Sequence, residues 1–165
     1  MKTLYVNNYS KIRGGAEASI LNTYNLFKGR KNKASLFTAD KLFIKNNNSF
    51  QKINNFIYSA RAKKEIINKI NDFKPDIVHL NNIYHHLSPS IIDGIKKTNL
   101  PIILSLRDYK LICARYKLYR NGKICEECKN KNYLSILKNN CNLKGNFGES
   151  ILLWLEMNLH HNVLH

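Results

Sequence analysis

Two groups of residues have types and spacings that could do chemistry. The first is "RGGAE", Arg13 to Glu17, a few residues after the apolar run Leu4-Tyr5-Val6. A strand, a glycine turn and a helix N-terminus in succession leave backbone N–H groups that can point at a ligand. The helix dipole there favours negative charge. Gly14 and Gly15 would let a diphosphate come close to the backbone, and Arg13 could add a charge-assisted hydrogen bond. A tight strand-to-helix turn with no ligand explains the same pair, and a bare glycine pair is weak evidence. The dinucleotide pattern G-x-G-x-x-G is absent. Asp40 alone stands where a ribose hydroxyl would need a carboxylate, so hydride transfer is disfavoured.

The second group is the four cysteines. Cys125 and Cys128 form a C-x-x-C, with eleven residues between Cys113 and Cys125 and twelve between Cys128 and Cys141. Four thiolates so spaced can close a tetrahedral zinc site and order a loop that has little core of its own. The alternative is a set of reduced cysteines packed beneath that loop. A thioredoxin-like role is disfavoured, because the pair does not open a helix after a first strand.

The elements that must position these groups follow from periodicity. Residues 2–8 are predicted as a strand, then a loop to Gly15, and 16–28 as a helix with Ile20, Leu21, Tyr24 and Phe27 on one face. Residues 33–39 are predicted as a second strand, and "LFIK" within the asparagine-rich 40–54 as an edge strand. A helix is predicted over 55–73, with Phe56, Ala60, Ile66, Ile67, Ile70 and Phe73 at helical spacing. Residues 74–80 and 100–106 are predicted as strands buried on both faces. In the helix 88–97 the expected N-cap is Ser88, with Pro89 at the first helical position. A long basic segment, 107–148, carries the cysteines, and 149–161 is predicted as an apolar helix. Alternating strands and helices predict an α/β fold: a Rossmann-like, doubly wound parallel sheet with a cysteine-bearing insertion near the C-terminus. Ligands of such sheets bind beyond the carboxyl ends of the strands, which here means loops 8–15, 81–88 and 107 onward.

Composition bounds the setting. The chain has 165 residues, 44% of them hydrophobic, enough for one ordinary domain. No apolar run reaches the length of a membrane span, and the N-terminus lacks the pattern of a signal peptide. A cytoplasmic protein is expected, with its cysteines outside structural disulfides. The formal net charge of +16 suggests an anionic partner. Its even spread, with no zinc finger, aromatic RNA-binding signature or clear helix-turn-helix, disfavours nucleic acid.

"YVNNYSKIRGGAEASILN", "KPDIVHLNNIYHHLSPSII" and "LPIILSLRDYKLICARYKLYRNGKICEECK" occur in that order. Together they resemble the N-terminal, acceptor-side half of GT-B glycosyltransferases of the large retaining family 4-like group, across essentially all of residues 1–165. The resemblance implies two Rossmann-like domains facing a cleft, the second gripping the nucleotide-sugar donor. On that reading the chain is truncated at His165, lacks the donor-binding domain and is inactive alone. Carried over by position, Gly14 and Gly15 match the family's glycine loop, and Arg13 and Glu17 belong to the same stretch. His79 and Asn82 match the loop after the family's fourth strand, where Asn81 stands in place of a frequent histidine. His85, His86 and Ser88 match residues beside the cleft.

Arg107-Asp108 stands where the family usually has His-Asp, whose histidine contacts the transferred sugar. An arginine is permanently charged and cannot alternate between donor and acceptor. It suits a phosphate or a carboxylated sugar, and equally a gene no longer selected for catalysis. The resemblance implies catalysis without a protein nucleophile or a required cofactor, the leaving diphosphate being stabilised by basic groups and helix dipoles. Implied partners are a nucleotide-sugar, a glycan or lipid-linked acceptor, a second protein chain, and an anionic inner-membrane face that a basic surface could meet peripherally. The alternative is a non-catalytic, partner-binding subunit or the remnant of a split enzyme. Its support is the final helix, where Ile151, Leu152, Leu153, Trp154, Leu155, Met157 and Leu159 are apolar nearly all round.

Overall fold

The computed structural model describes residues 1–28, 32–42, 55–142 and 146–163. It divides into two compact units, Met1–Arg107 and Asp108–His165.

The first unit alternates strands and helices: β1 (Lys2–Asn7), α1 (Gly15–Lys28), β2 (Lys33–Thr38), a short α2 (Ala39–Leu42), α3 (Ala60–Phe73), β3 (Ile77–Leu80), α4 (Ser90–Lys96) and β4 (Ile102–Leu104). Among the described residues its four strands form one parallel sheet in the order β2-β1-β3-β4. The expected Rossmann-like α/β fold is observed. β1 is central and buried along nearly all its length. Strand periodicity sends its side chains alternately to the two faces. Leu4 and Val6 join Val78 and Leu80 in a core completed by Ile66 and Ile70 of α3 and Ile91 and Ile95 of α4. Tyr5 instead meets Tyr24 and Phe27, with ring centroids at 5.9 and 6.2 Å. Helices therefore cover both faces, and α1 presents the aromatic face that its periodicity predicted.

Several boundaries differ from expectation. The α3 helix starts at Ala60, because Ser59 caps it, its hydroxyl oxygen accepting from the Ala62 N–H at 3.2 Å. Its buried stripe is Ala62, Ile66 and Ile70, while Ala60 faces solvent. It ends where Lys74 turns left-handed, φ 49°. Ser88 is left-handed at φ 60°; its hydroxyl accepts from the Ser90 N–H at 3.4 Å, the capping contact expected of it, and also from the Ser59 N–H at 2.9 Å. Pro89, directly before the helix, has helical φ and ψ and makes no side-chain bond. The stretch 100–106 shrinks to a three-residue strand at the edge of the described sheet. There Ile103 and Leu104 are 47% and 36% exposed, so it is not buried on both faces. Of "LFIK", Leu42 ends α2 and the remainder lies outside the described residues.

The second unit holds a hairpin of β5 (Tyr119–Arg120) and β6 (Lys123–Ile124), a 3-10 turn (Lys129–Lys131), α5 (Leu134–Lys138) and α6 (Phe147–Asn158), which runs into a π-helical turn (Leu159–Val163). The predicted helix 149–161 thus begins earlier, where the Asn146 side chain accepts from the Gly148 N–H at 2.9 Å. Its apolar surface is sorted: Leu153 and Met157 are buried, whereas Phe147 and Ile151 are exposed. Glu156 is also fully buried, because the Lys110 ammonium donates to it at 2.6 Å and to the Ala114 carbonyl at 3.3 Å. Among the described residues no helix is long and apolar enough to cross a membrane.

Candidate functional site

The chain leaves β1 to build β2 on one side and returns to build β3 on the other. The carboxyl ends of β1 and β3 are therefore the point where the winding reverses, the place where folds of this kind bind their ligands. The two loops at this point are bonded to each other. The Asn8 side-chain amide donates to the Asn82 Oδ1 at 3.2 Å and to the Tyr84 carbonyl at 2.6 Å. The Tyr9 hydroxyl and His86 Nε2 share a hydrogen bond of 2.9 Å. Arg13 lies over the Tyr9 ring with its guanidinium carbon 3.9 Å from the centroid. Of the residues the sequence singled out, the fold thus brings Arg13 and His86 together through Tyr9, and Asn82 to the same pair of loops. Asn8 and Tyr9 were not foreseen. Their only signal was polarity directly after a buried strand.

Gly14 and Gly15 are exposed at the start of α1. The Gly14 carbonyl accepts the first helical bond, from the Ala18 N–H at 3.0 Å. A methyl group added at Gly15 would meet nothing within 4 Å. Neither glycine has a positive φ, so the backbone conformation does not require glycine at either place. Glu17 is buried, and its carboxylate turns back to within 3.5 Å of where a Cβ on Gly14 would be. A carboxylate in the first turn complements the helix dipole.

Asp40 is engaged by the neighbouring loop through one of its two oxygens. Its Oδ2 accepts from both the N–H and the hydroxyl of Ser10 at 2.7 Å, which ties the glycine loop to the end of β2. Burial pushes its carboxyl up, but the Ser10 bonds outweigh this and hold it below the usual carboxylate range. His86 is held below the usual histidine value by its enclosure and by the Arg13 guanidinium, which Asp40 partly offsets. His85 adopts φ 72° and its ring lies 4.7 Å from that of Phe56. Buried amide oxygens of Asn8 and Asn81, at the ends of β1 and β3, have no hydrogen-bond partner.

His79, on β3, bonds to the Ser105 hydroxyl at 2.8 Å. Burial first, and the charge of Arg107 second, lower its pKa. Arg107 is exposed at the end of the first unit. Asp108 opens the second unit, where its Oδ1 accepts from the Lys110 N–H at 2.9 Å, an Asx turn of its own.

In the second unit, Cys113, Cys125, Cys128 and Cys141 all line one cavity of about 420 Å³. All four are free thiols. Burial and then the other three cysteines push the Cys128 thiol up to about 11, while the Ala114 N–H, donating to its sulfur, pulls the other way. Burial also raises Cys141, against the opposing charges of Arg120 and Arg115. Among the described residues, no three His, Cys, Asp or Glu side chains are already gathered into a group that could hold a metal ion.

No family model matches the chain, and no solved structure matches it. A stretch of 66 residues, 40% of the chain, is 42% identical to an "Uncharacterized 42.6 kDa protein in cps region" of Klebsiella pneumoniae. The match spans 17% of that protein's length, so the chain is similar to a small part of a much longer relative.

Proposed function

We propose that the chain serves as the acceptor-side half of a retaining GT-B glycosyltransferase, passing a sugar from a nucleotide-sugar donor to a polysaccharide or glycoconjugate acceptor. The observation that carries this reading is the switch point of the parallel sheet. There an open glycine backbone at a helix start, the exposed Arg13 and the Tyr9–His86 pair converge. The buried amide oxygens of Asn8 and Asn81 suit hydroxyl donors, which a sugar supplies, since an unpaired buried acceptor costs about 1–3 kcal/mol. The buried Glu17 carboxylate also favours hydroxyls over phosphate close to Gly14, leaving Arg13 as the group for an anion.

The three ordered sequence motifs support the family. The relative's place in a cps region fits a polysaccharide setting. In this reading Arg107 steadies a leaving diphosphate or a carboxylated sugar by charge, Asp108 shapes the turn that follows it, and donor binding falls mainly to a second domain. The basic surface suits a lipid-linked acceptor at an anionic membrane face on the cytoplasmic side. A second reading, a non-catalytic subunit that binds a partner chain, is favoured by the exposed apolar Phe147 and Ile151 on α6.

Saturation-transfer NMR with a panel of glycans and sugar diphosphates tests the first reading. The native chain should bind a member of the panel, and Gly15→Val should lose that binding while keeping the native far-ultraviolet circular dichroism. Binding that survives Gly15→Val and His86→Gln unchanged, or no binding of any sugar, overturns it. A stoichiometric complex with a neighbouring gene product and no sugar binding would establish the second.

A further inference from the structure

We propose that the second unit is closed by a structural zinc ion held by the sulfurs of Cys113, Cys125, Cys128 and Cys141. Every cysteine of the chain falls in this unit, and all four reach the same cavity of about 420 Å³. The unit is otherwise thinly cored. Among the described residues its buried apolar side chains other than Cys141 are Ala114, Tyr133, Ile136, Leu153 and Met157, and its strands are two residues long. A body of this size is marginally stable on packing alone, and many natural small domains gain stability from a disulfide framework or a metal. The thiols here are unpaired, so no disulfide framework closes the unit and all four sulfurs are available to a metal.

The backbone already fixes where each sulfur starts. The Cys125 N–H bonds to the Leu118 carbonyl at 2.9 Å and closes the β5–β6 hairpin. The Cys113 N–H bonds to the Tyr109 carbonyl at 2.8 Å, and the Cys141 N–H to the Ile136 carbonyl at 2.9 Å. Four sulfurs select zinc over magnesium or calcium. Four protein ligands leave no open position, so the role is structural. A tetrathiolate zinc centre carries a net negative charge, and Arg115 and Arg120 stand near Cys141 to offset it. The side chains are not yet gathered into a closed ligand set. Protonated thiols have nothing to draw them to tetrahedral spacing, and zinc does so by displacing their protons.

The test uses the full chain, purified under reducing conditions with no metal added. Elemental analysis should find one zinc per chain, and cobalt(II) exchanged for it should give the intense visible absorption of a tetrahedral tetrathiolate. Cys125→Ser should weaken zinc binding by more than the ~10–100-fold that loss of an outer partner causes. Should that variant fail to fold, competition for zinc between the native chain and a chromogenic chelator gives the affinity directly. The proposal is overturned if the folded chain holds no zinc and all four thiols react freely with a disulfide reagent. It is equally overturned if the mass of the non-reduced protein shows disulfide bridges.

Discussion

Gly15 shows what a single residue can reveal. Its φ is not positive and a methyl group would touch nothing, so the fold gives no reason for glycine there. Alanine at this helix start should raise thermal stability, by up to about 1 kcal/mol, because glycine loses more chain entropy on folding. If the space over Gly15 belongs to a bound sugar, the same Gly15→Ala change should weaken ligand binding. A melting curve and a binding titration on one variant separate the two effects. The glycine pair itself was legible in the sequence, and so was Arg13 as its charged neighbour. What was not legible is the support. Asp40 stood out only faintly as a carboxylate for a ribose, and the bonds of its Oδ2 to Ser10 had no sequence signal. Ser88 was legible as a helix cap, but its second bond, from the distant Ser59 N–H, was not. Short polar side chains have several local partners to choose from, and only the tertiary fold decides among them.

Helices and strands were legible wherever a long apolar period ran, as in β1, α1 and α3. They were misjudged where a neighbour sets the boundary. Gly94 in α4 illustrates such a neighbour: a Cβ there would come within 3.1 Å of Ile66 Cγ2 and of the Lys63 carbonyl on α3. Gly94→Ala should therefore lower stability despite the better helix propensity of alanine. Chemical denaturation with an unchanged transition slope is the check.

The Lys110–Glu156 pair links a loop to α6 inside the second unit, and no spacing rule announces a contact between residues so far apart. Lys110→Met alone should cost about 3–5 kcal/mol, since it strands a buried carboxylate. The double variant Lys110→Met/Glu156→Leu should recover most of that loss. Equal stability of the single and double variants would refute the coupling.

Across the whole molecule, the Rossmann-like sheet was foreseen because alternation of strand and helix leaves few topologies open. The basic, cysteine-bearing stretch from 107 onward was read as an insertion, and its packing with the last helix as a compact unit, Asp108–His165, had no periodicity to announce it. Acid response belongs to this scale. His79 and His86 are held below the usual histidine value in the native state. The unfolded chain, with histidines near pH 6.5, therefore binds more protons as the medium acidifies. The stability they contribute is fully present above about pH 6.5 and is lost as pH falls through their lowered native values. Asp40, also lowered, adds a further loss in the carboxylate range. Urea midpoints at neutral and mildly acidic pH should fall accordingly, and a His79→Gln/His86→Gln variant should show a flatter profile.

The short outer strand β4 has a practical corollary. With Ile103 and Leu104 turned outward and one backbone rim unpaired among the described strands, it offers a template on which another extended chain could add by hydrogen bonding. Its three residues keep that template brief, so it should matter most when heating frees other segments to align with it. Recovery after heating should then worsen as the concentration of the preparation rises, and a lysine in place of Ile103 should restore it.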